Sequence, residues 1–126
     1  MTYAEKLAAL SGDALSAEEF DHFDHIGVAF EALRGREFFE AYALFSGGVR
    51  RLADRAGAEG KFSATVTFAY MSEIADRMRA RPYADAGAFI DANEDLASGK
   101  FLAARYSRER LRSPASRTIP LLPDLG

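Results

Sequence analysis

The chain has 126 residues, 48% hydrophobic and 12% aromatic, which suits one domain over residues 1–126 with a core of its own. Zero cysteines exclude disulfides, thiolate metal sites and a cysteine nucleophile. The formal net charge of -3 disfavours nucleic-acid binding, and the lack of an export signal or of an apolar run near the ~20 residues that span a bilayer predicts a cytoplasmic protein without a membrane partner.

Apolar residues recur at helical rather than alternating spacing, and strand patterns are almost absent. The sequence therefore predicts an all-α fold, an irregular helical bundle of three main helices with short covering helices and an extended C-terminal strap. The main helices are predicted over residues 17–34, over residues 37–56, and from a Ser63 cap to Pro82. Shorter helices are predicted at 85–91, at 93–98, after Ser107 and from Pro114, and the strap at 119–123.

The first main helix is predicted to begin at the capping box Ser16-Ala17-Glu18-Glu19, in which the serine oxygen accepts from a free N–H of the first turn. Its buried stripe is expected to consist of Phe23, Ile26, Phe30 and Leu33. At about 100° per residue, His22 then lies beside the stripe, and His25 lies further round at the boundary between core and solvent.

Two adjacent glycines, Gly47 and Gly48, interrupt the second main helix. Each costs about 1 kcal/mol relative to alanine in a helix interior. A break, a close helix crossing or a ligand resting on bare backbone would each explain them, and we favour close packing.

The only two histidines, His22 and His25, are three residues apart and share neighbouring positions on one predicted helix. Neutral imidazole suits general acid–base chemistry, and Asp21, Asp24 or a carboxylate from another helix is expected to orient the ring of His22. His22 and His25 are therefore the candidate catalytic residues. Partly buried structural histidines are the alternative interpretation.

The same histidines would be the ligands of any bound metal. Glu18 shares their helical face, but it lies ~10 Å along the axis from His25, too far to reach one ion without a second helix. Metal sites in bundles use Glu-x-x-His on more than one helix, and Glu19-x-x-His22 occurs once here. No other cofactor is indicated.

Further binding residues are expected near Thr67 and Arg105. Thr65 and Thr67 lie at the start of the third main helix, where hydroxyls and free N–H groups bind an anion or serve as caps. In Arg105-Tyr106-Ser107, the guanidinium could clamp a carboxylate and the phenol could donate a hydrogen bond, although a salt bridge to the acidic amino-terminal third is favoured.

Charge is divided unevenly along the chain. Residues 1–31 hold seven acids against one lysine, and residues 101–126 hold five arginines against two acids. We expect these opposite ends to pair inside the fold, and an arginine cluster for a phosphate or carboxylate ligand is the alternative.

The motif residues form a pattern along the chain: Phe20-x-His22-x-x-His25, Thr65-x-Thr67, Arg105-Tyr106-Ser107-x-x-x-Leu111-x-Ser113-x-Ala115-x-Arg117 and Pro123-Asp124. From Phe20 onward, the chain resembles a family of small bacterial all-helical proteins without an assigned function. That family typically has tyrosine and histidine where this chain has Phe62 and Ser63. If the family binds a metal through three histidines, this chain lacks one. If the histidine binds substrate, Ser63 is a substrate-specific change.

The resemblance implies that five polar residues from separate helices converge on one pocket: His22, His25, Thr67, Arg105 and Tyr106. Such a pocket suits a small polar or acidic metabolite, and its chemistry would be proton transfer, elimination or isomerisation. We therefore expect a small-molecule-binding, enzyme-like domain. Its catalytic residues are His22 and His25, and its ligand-binding residues are Ser63, Thr67, Arg105 and Tyr106.

A non-enzymatic helical module is the competing hypothesis. An amphipathic helical domain of this kind binds a protein partner or forms a homodimer without any pocket. The surface predicted for this role consists of Phe38, Phe39 and the Pro-Leu-Leu-Pro segment at 120–123.

Overall fold

The computed structural model describes residues 1–126 and contains nine α-helices and no strand, which confirms the all-α fold. The helices are α1 Tyr3–Ser11, α2 His22–Arg34, α3 Phe38–Arg55, α4 Ala64–Ala80, α5 Ala86–Ala92, α6 Glu94–Ser98, α7 Lys100–Arg105, α8 Arg108–Arg112 and α9 Pro114–Thr118. Two 3₁₀ turns, Ala17–Glu19 and Glu59–Lys61, precede α2 and α4. No helix combines the length and the apolar character that crossing a bilayer requires.

The centre of the fold is α2, which contacts α1, α3, α4, α5 and α6. Its residues Ile26, Val28, Ala29, Phe30 and Ala32 are all buried, although they point in several directions around the helix. One continuous cluster of 20 buried apolar residues joins α2 to its neighbours. A helix that is apolar on several sides is expected where other helices surround it.

The predicted start of the first main helix is wrong. The capping box of Ser16 and Glu19 forms, but it closes only a single 3₁₀ turn. The chain then extends at Phe20, and α2 starts after Asp21, which makes a second capping box with Asp24. Extension at Phe20 is needed to place its ring in the core, where only 7% of the residue is exposed. His22 is consequently the first residue of α2, and His25 completes its first turn.

The predicted stripe of α2 is correct for Ile26 and Phe30, which are each 2% exposed, and wrong for Phe23, which is 51% exposed. Leu33 is half-buried. The aromatic ring that fills the core at the start of α2 belongs to Phe20. Phe20 precedes the helix, so its extended backbone can direct the side chain into the core, whereas Phe23 in the first turn of α2 faces solvent.

The helix α1 is not predicted by the apolar spacing, because only Leu7 and Leu10 of its nine residues are buried. A readable signal was nevertheless present. Thr2 and Glu5 form a complete capping box, with each side chain accepting from the other residue's backbone N–H.

Close packing at the glycine pair is confirmed for Gly48, which is buried in α3 against α1. A Cβ at Gly48 would lie 2.7 Å from Cγ of Leu10, a residue with no exposed surface. The helices α1 and α3 can approach this closely only because Gly48 has no side chain.

The third main helix begins after the Ser63 cap and ends before Pro82, as predicted. The strap after α9 is held by side-chain hydrogen bonds to its backbone. The buried Thr65 hydroxyl donates to the Ile119 carbonyl at 2.9 Å and accepts from the Leu121 N–H at 3.0 Å, and the Tyr106 hydroxyl donates to the Leu121 carbonyl at 2.8 Å. Leu121 is half-buried, whereas Leu122 is 76% exposed, so one of the two leucines packs on the domain.

The expected pairing of the acidic and basic ends is wrong, because no ion pair joins residues 1–31 to residues 101–126. Asp24 pairs with Lys6, and Asp13 pairs with arginines of α3. The acid nearest to Arg105 is Glu73 of α4, at 3.9 Å. The charged residues of both ends therefore pair with residues of α3 and α4 or with residues close to them in the chain.

Candidate functional site

A pocket of about 320 Å³ opens between the N-terminal parts of α2 and α4. Its walls are apolar, and the buried residues among them are Phe20, Ile26, Ala29, Phe45, Met71 and Ile74. Four polar residues also line it: Asp21, His22, His25 and Thr67. A concave apolar site with a few polar groups is the usual form of a small-molecule pocket.

The inner polar group of the pocket is His25, which is half-buried between two aromatic rings. The centroid of its ring lies 4.3 Å from that of Phe20 and 6.5 Å from that of Phe45. Its Nδ1 lies 2.9 Å from the backbone oxygen of Asp21. Since a carbonyl oxygen can only accept, this contact assigns the proton of the neutral ring to Nδ1. A backbone carbonyl therefore orients His25. The carboxylate was predicted to orient His22, and that prediction is wrong, because His22 makes no hydrogen bond within the protein.

The other nitrogen of His25, Nε2, makes no hydrogen bond within the protein. Every buried side-chain nitrogen or oxygen does have a partner, so Nε2 must be accessible from the pocket or from solvent. With the proton on Nδ1, Nε2 carries a lone pair. The pocket thus contains a free hydrogen-bond acceptor beside apolar walls.

Burial lowers the pKa of His25 below its usual value, and the hydrogen bond to Asp21 opposes this effect without cancelling it. The nearby His22 adds to the depression, because two positive charges would repel. His25 is therefore neutral at pH 7, and its Nε2 can accept either a hydrogen bond or a proton.

The depressed pKa of His25 predicts a pH dependence of stability. Above about pH 6.5 the ring is neutral in both the folded and the unfolded chain. As the pH falls from there through the lower folded pKa, the unfolded chain takes up the proton first, so the free energy of unfolding decreases. We expect the melting temperature to fall between about pH 7 and pH 5, and the fall to be smaller in His25→Gln. Circular dichroism melts measure this, and His22→Gln is the comparison, because it keeps the burial of His25 that is the main cause of the depressed pKa and should therefore keep most of the fall. An equal fall in His25→Gln would contradict the prediction.

The other histidine, His22, is exposed at the mouth of the pocket. Its ring stands nearly perpendicular to that of Tyr70, with centroids 6.3 Å apart, and it makes no hydrogen bond within the protein. The predicted order of the two histidines is thus reversed, since His25 lies inside and His22 lies outside. The reversal arises because Phe45 of α3 packs against His25, so the covered part of the α2 surface extends round to that residue.

On the opposite wall, α4 contributes Thr67 and Tyr70. The Tyr70 hydroxyl donates to the Leu96 carbonyl at 2.9 Å, so only its ring faces the pocket. The Thr67 hydroxyl makes no hydrogen bond within the protein. His25 Nε2 and the Thr67 hydroxyl are therefore the uncommitted polar groups of the interior.

The expected convergence of five polar residues is wrong for Arg105 and Tyr106. Both line a separate cleft along the strap, formed with the other face of α4. Arg105 stacks on Phe101 at 5.4 Å and Tyr106 binds the strap backbone. Ser63 is also outside the pocket, because its hydroxyl caps α4 and donates to the Ser116 carbonyl. No arginine or lysine lines the pocket.

No group of three or more histidine, aspartate or glutamate side chains is placed to hold a metal ion. His22 and His25 could supply two nitrogen ligands, and Nδ1 of His25 is already committed to a backbone oxygen. A structural metal site would need further ligands from elsewhere.

Eight apolar pocket residues had no predicted site role, among them the aromatic residues Phe20, Phe45 and Tyr70. Phe45 and Tyr70 lie on separate helices, and helical spacing does not show which residue of another helix they meet. For Phe20, its position directly before Asp21-His22 was the available signal.

Comparison of the chain with protein-family models, with curated protein sequences and with solved structures gives no match. The resemblance to a family of small bacterial helical proteins stays a prediction from the motif residues.

Proposed function

We propose that this chain is a small-molecule-binding domain whose pocket takes a neutral ligand with an apolar body and one hydrogen-bond donor. The observation that supports this most strongly is the uncommitted Nε2 of a neutral, half-buried His25 beside apolar walls. A ligand N–H or O–H would complete the hydrogen bonding of His25, and its apolar body would cover Phe45 and Met71.

The size and charge of the pocket narrow the ligand class. A volume of about 320 Å³ is at the lower end of the range of ligand pockets, and it suits a single ring with a short substituent. A carboxylate ligand would find no arginine or lysine there, and it would lie near the carboxylate of Asp21. The proposal therefore favours a neutral metabolite over an acidic one.

The same geometry is suited to proton transfer. A neutral imidazole with its proton held on Nδ1 can accept a proton at Nε2, while the Asp21 carbonyl stabilises the cation that forms. Isomerisation and elimination both begin with such a step. His25 is the proposed base, and Thr67 is the residue that would orient the substrate.

Three fragments of matched shape test the binding proposal: phenol, anisole and benzoate. We expect phenol to bind more tightly than anisole or benzoate by about tenfold, because one hydrogen bond is worth about that factor. We expect His25→Ala to remove this preference and Thr67→Val to weaken it. Protein-observed NMR titrations give both the affinities and the location of the site.

The control variant is Arg105→Met, which changes a residue outside the pocket and should leave phenol affinity unchanged. Melting temperatures of all variants are measured in parallel, so that loss of binding is separated from loss of fold. Any of three results would refute the proposal: chemical-shift changes on phenol binding that map to the strap cleft, an unchanged preference for phenol in His25→Ala, or no binding by any fragment.

A further inference from the structure

We propose that Lys6 of α1 is a positioning residue for the His25 site, because it holds the backbone that selects the tautomer of the histidine. This inference rests on the proposed function for its significance.

The side chain of Lys6 spans the break between the 3₁₀ turn and α2. Its Nζ donates to the backbone oxygen of Glu19 at 2.7 Å and to Oδ2 of Asp24 at 2.9 Å. The side chains of Lys6 and Asp24 are only 18% and 11% exposed, so water competes poorly for this pair. Lys6 therefore joins the end of the 3₁₀ turn to the first turn of α2.

Asp24 passes this constraint to Asp21. The same oxygen, Oδ2 of Asp24, accepts from the Asp21 N–H at 2.9 Å, and the Asp24 N–H donates to Oδ1 of Asp21 at 2.9 Å. This reciprocal box holds the Asp21 peptide in place. The Asp21 carbonyl then receives the backbone N–H of His25 at 3.1 Å and its Nδ1 at 2.9 Å.

The box depends on Asp24 remaining ionised in a buried position. Burial opposes ionisation, but hydrogen bonds from the Asp21 N–H and from Lys6 outweigh it, and the pKa of Asp24 lies below its usual value. Without Lys6, the carboxylate would keep its desolvation and lose its counter-ion. The Asp24 side chain would then turn towards water. This movement would break its hydrogen bond with the Asp21 N–H and release the Asp21 peptide.

The consequence for the pocket is the choice of tautomer at His25. A neutral imidazole released from the Asp21 carbonyl can carry its proton on either nitrogen. With the proton on Nε2, the pocket would present a donor where the proposed ligand also presents a donor. Lys6 thus determines, through Asp24 and Asp21, whether Nε2 can accept.

The test is histidine ¹⁵N NMR on the ligand-free protein at a pH where both rings are neutral. In the wild type we expect His25 to be a single Nδ1–H tautomer, and in Lys6→Met we expect a mixture. Lys6→Arg keeps the charge and the donors, so it should restore the single tautomer. Lys61→Met removes an exposed lysine and should change nothing. His22, which has no hydrogen bond, is the internal reference in every spectrum.

Phenol titration of the same samples separates this inference from the proposed function. If both hold, phenol affinity falls in Lys6→Met in proportion to the fraction of His25 that has left the Nδ1–H form, by about twofold for an equal mixture, and returns in Lys6→Arg. If phenol does not bind the wild type, the proposed function fails, and the tautomer spectra still decide the role of Lys6. A folded Lys6→Met protein with His25 wholly in the Nδ1–H form would overturn the inference. Should Lys6→Met not fold, Lys6→Gln, which is too short to hold both oxygens, is judged by the same criterion.

Discussion

Replacing Phe89 with alanine is expected to lower the free energy of unfolding by about 3–5 kcal/mol. Phe89 lies on α5 and has no exposed surface. Its ring contacts Phe30 of α2 at 5.3 Å and Tyr83 at 4.8 Å between centroids. Removal leaves a cavity bounded by rigid rings, which collapse into it poorly. Because domains of this size are stable by only about 5–15 kcal/mol, urea unfolding should show a large shift of the midpoint.

The matched control is Phe39→Ala, since Phe39 is 68% exposed on α3. We expect a change within about 0.5 kcal/mol. A loss as large as that of Phe89→Ala would contradict the packing explanation.

Phe39 also belongs to the surface predicted for homodimerisation. Light scattering on the wild type and on this variant therefore tests the interaction hypothesis, in which the wild type has the mass of two chains and Phe39→Ala has the mass of one.

Replacing Arg77 with methionine is expected to destabilise the protein by about 2–3 kcal/mol. The guanidinium of Arg77 makes a bidentate pair with Asp95, with both N–O distances 2.7 Å, and it donates to Glu73 at 2.8 Å and to Asn93 at 3.0 Å. Methionine keeps much of the apolar volume but leaves four oxygen acceptors, on three residues, without this donor. Two of these acceptors, on Glu73 and Asn93, are largely shielded from water.

Arg79→Met is the control for this prediction, because Arg79 is on the same helix, is 86% exposed and pairs only with Asp76 at 3.8 Å. Exposed pairs of this kind contribute about 0–1 kcal/mol. Urea unfolding of both variants gives the comparison. If Arg77→Met were no more destabilising than Arg79→Met, the network would contribute nothing beyond a surface charge.

Arg77 also bears on the pocket, because it ties α4 to α6 at Asp95. The next residue, Leu96, supplies the carbonyl to which the Tyr70 hydroxyl donates at 2.9 Å. Loss of Arg77 is therefore expected to loosen the pocket wall that Tyr70 forms. The NMR signals of Tyr70 should change in Arg77→Met and not in Arg79→Met.

Local signals in the sequence were sufficient for most helix termini. Ser63, Ser107 and Pro114 start helices as predicted, and Gly99 ends α6 with a positive φ of 82°. These predictions succeed because a cap acts on backbone groups within about four residues. The close packing at Gly48 was also readable, since a helix retains an interior glycine mainly where another backbone or side chain approaches.

The start of α2 was not decided by local signals, because two capping boxes lie within nine residues of one another, at Ser16–Glu19 and Asp21–Asp24. Both form. Burial of Phe20 between them decides which box starts the long helix, and this burial depends on Phe45, a residue of another helix.

Periodicity and short-range capping signals predict the all-α class and most helix boundaries, because these depend on neighbouring residues, and they draw attention to the segment with both histidines. Helix packing places His25 inside the pocket, gives it a backbone carbonyl as its partner, and puts Arg105 and Tyr106 beside the other face of α4. Those results depend on how helices distant in the chain pack together, and the spacing within a single helix carries no information about its neighbours.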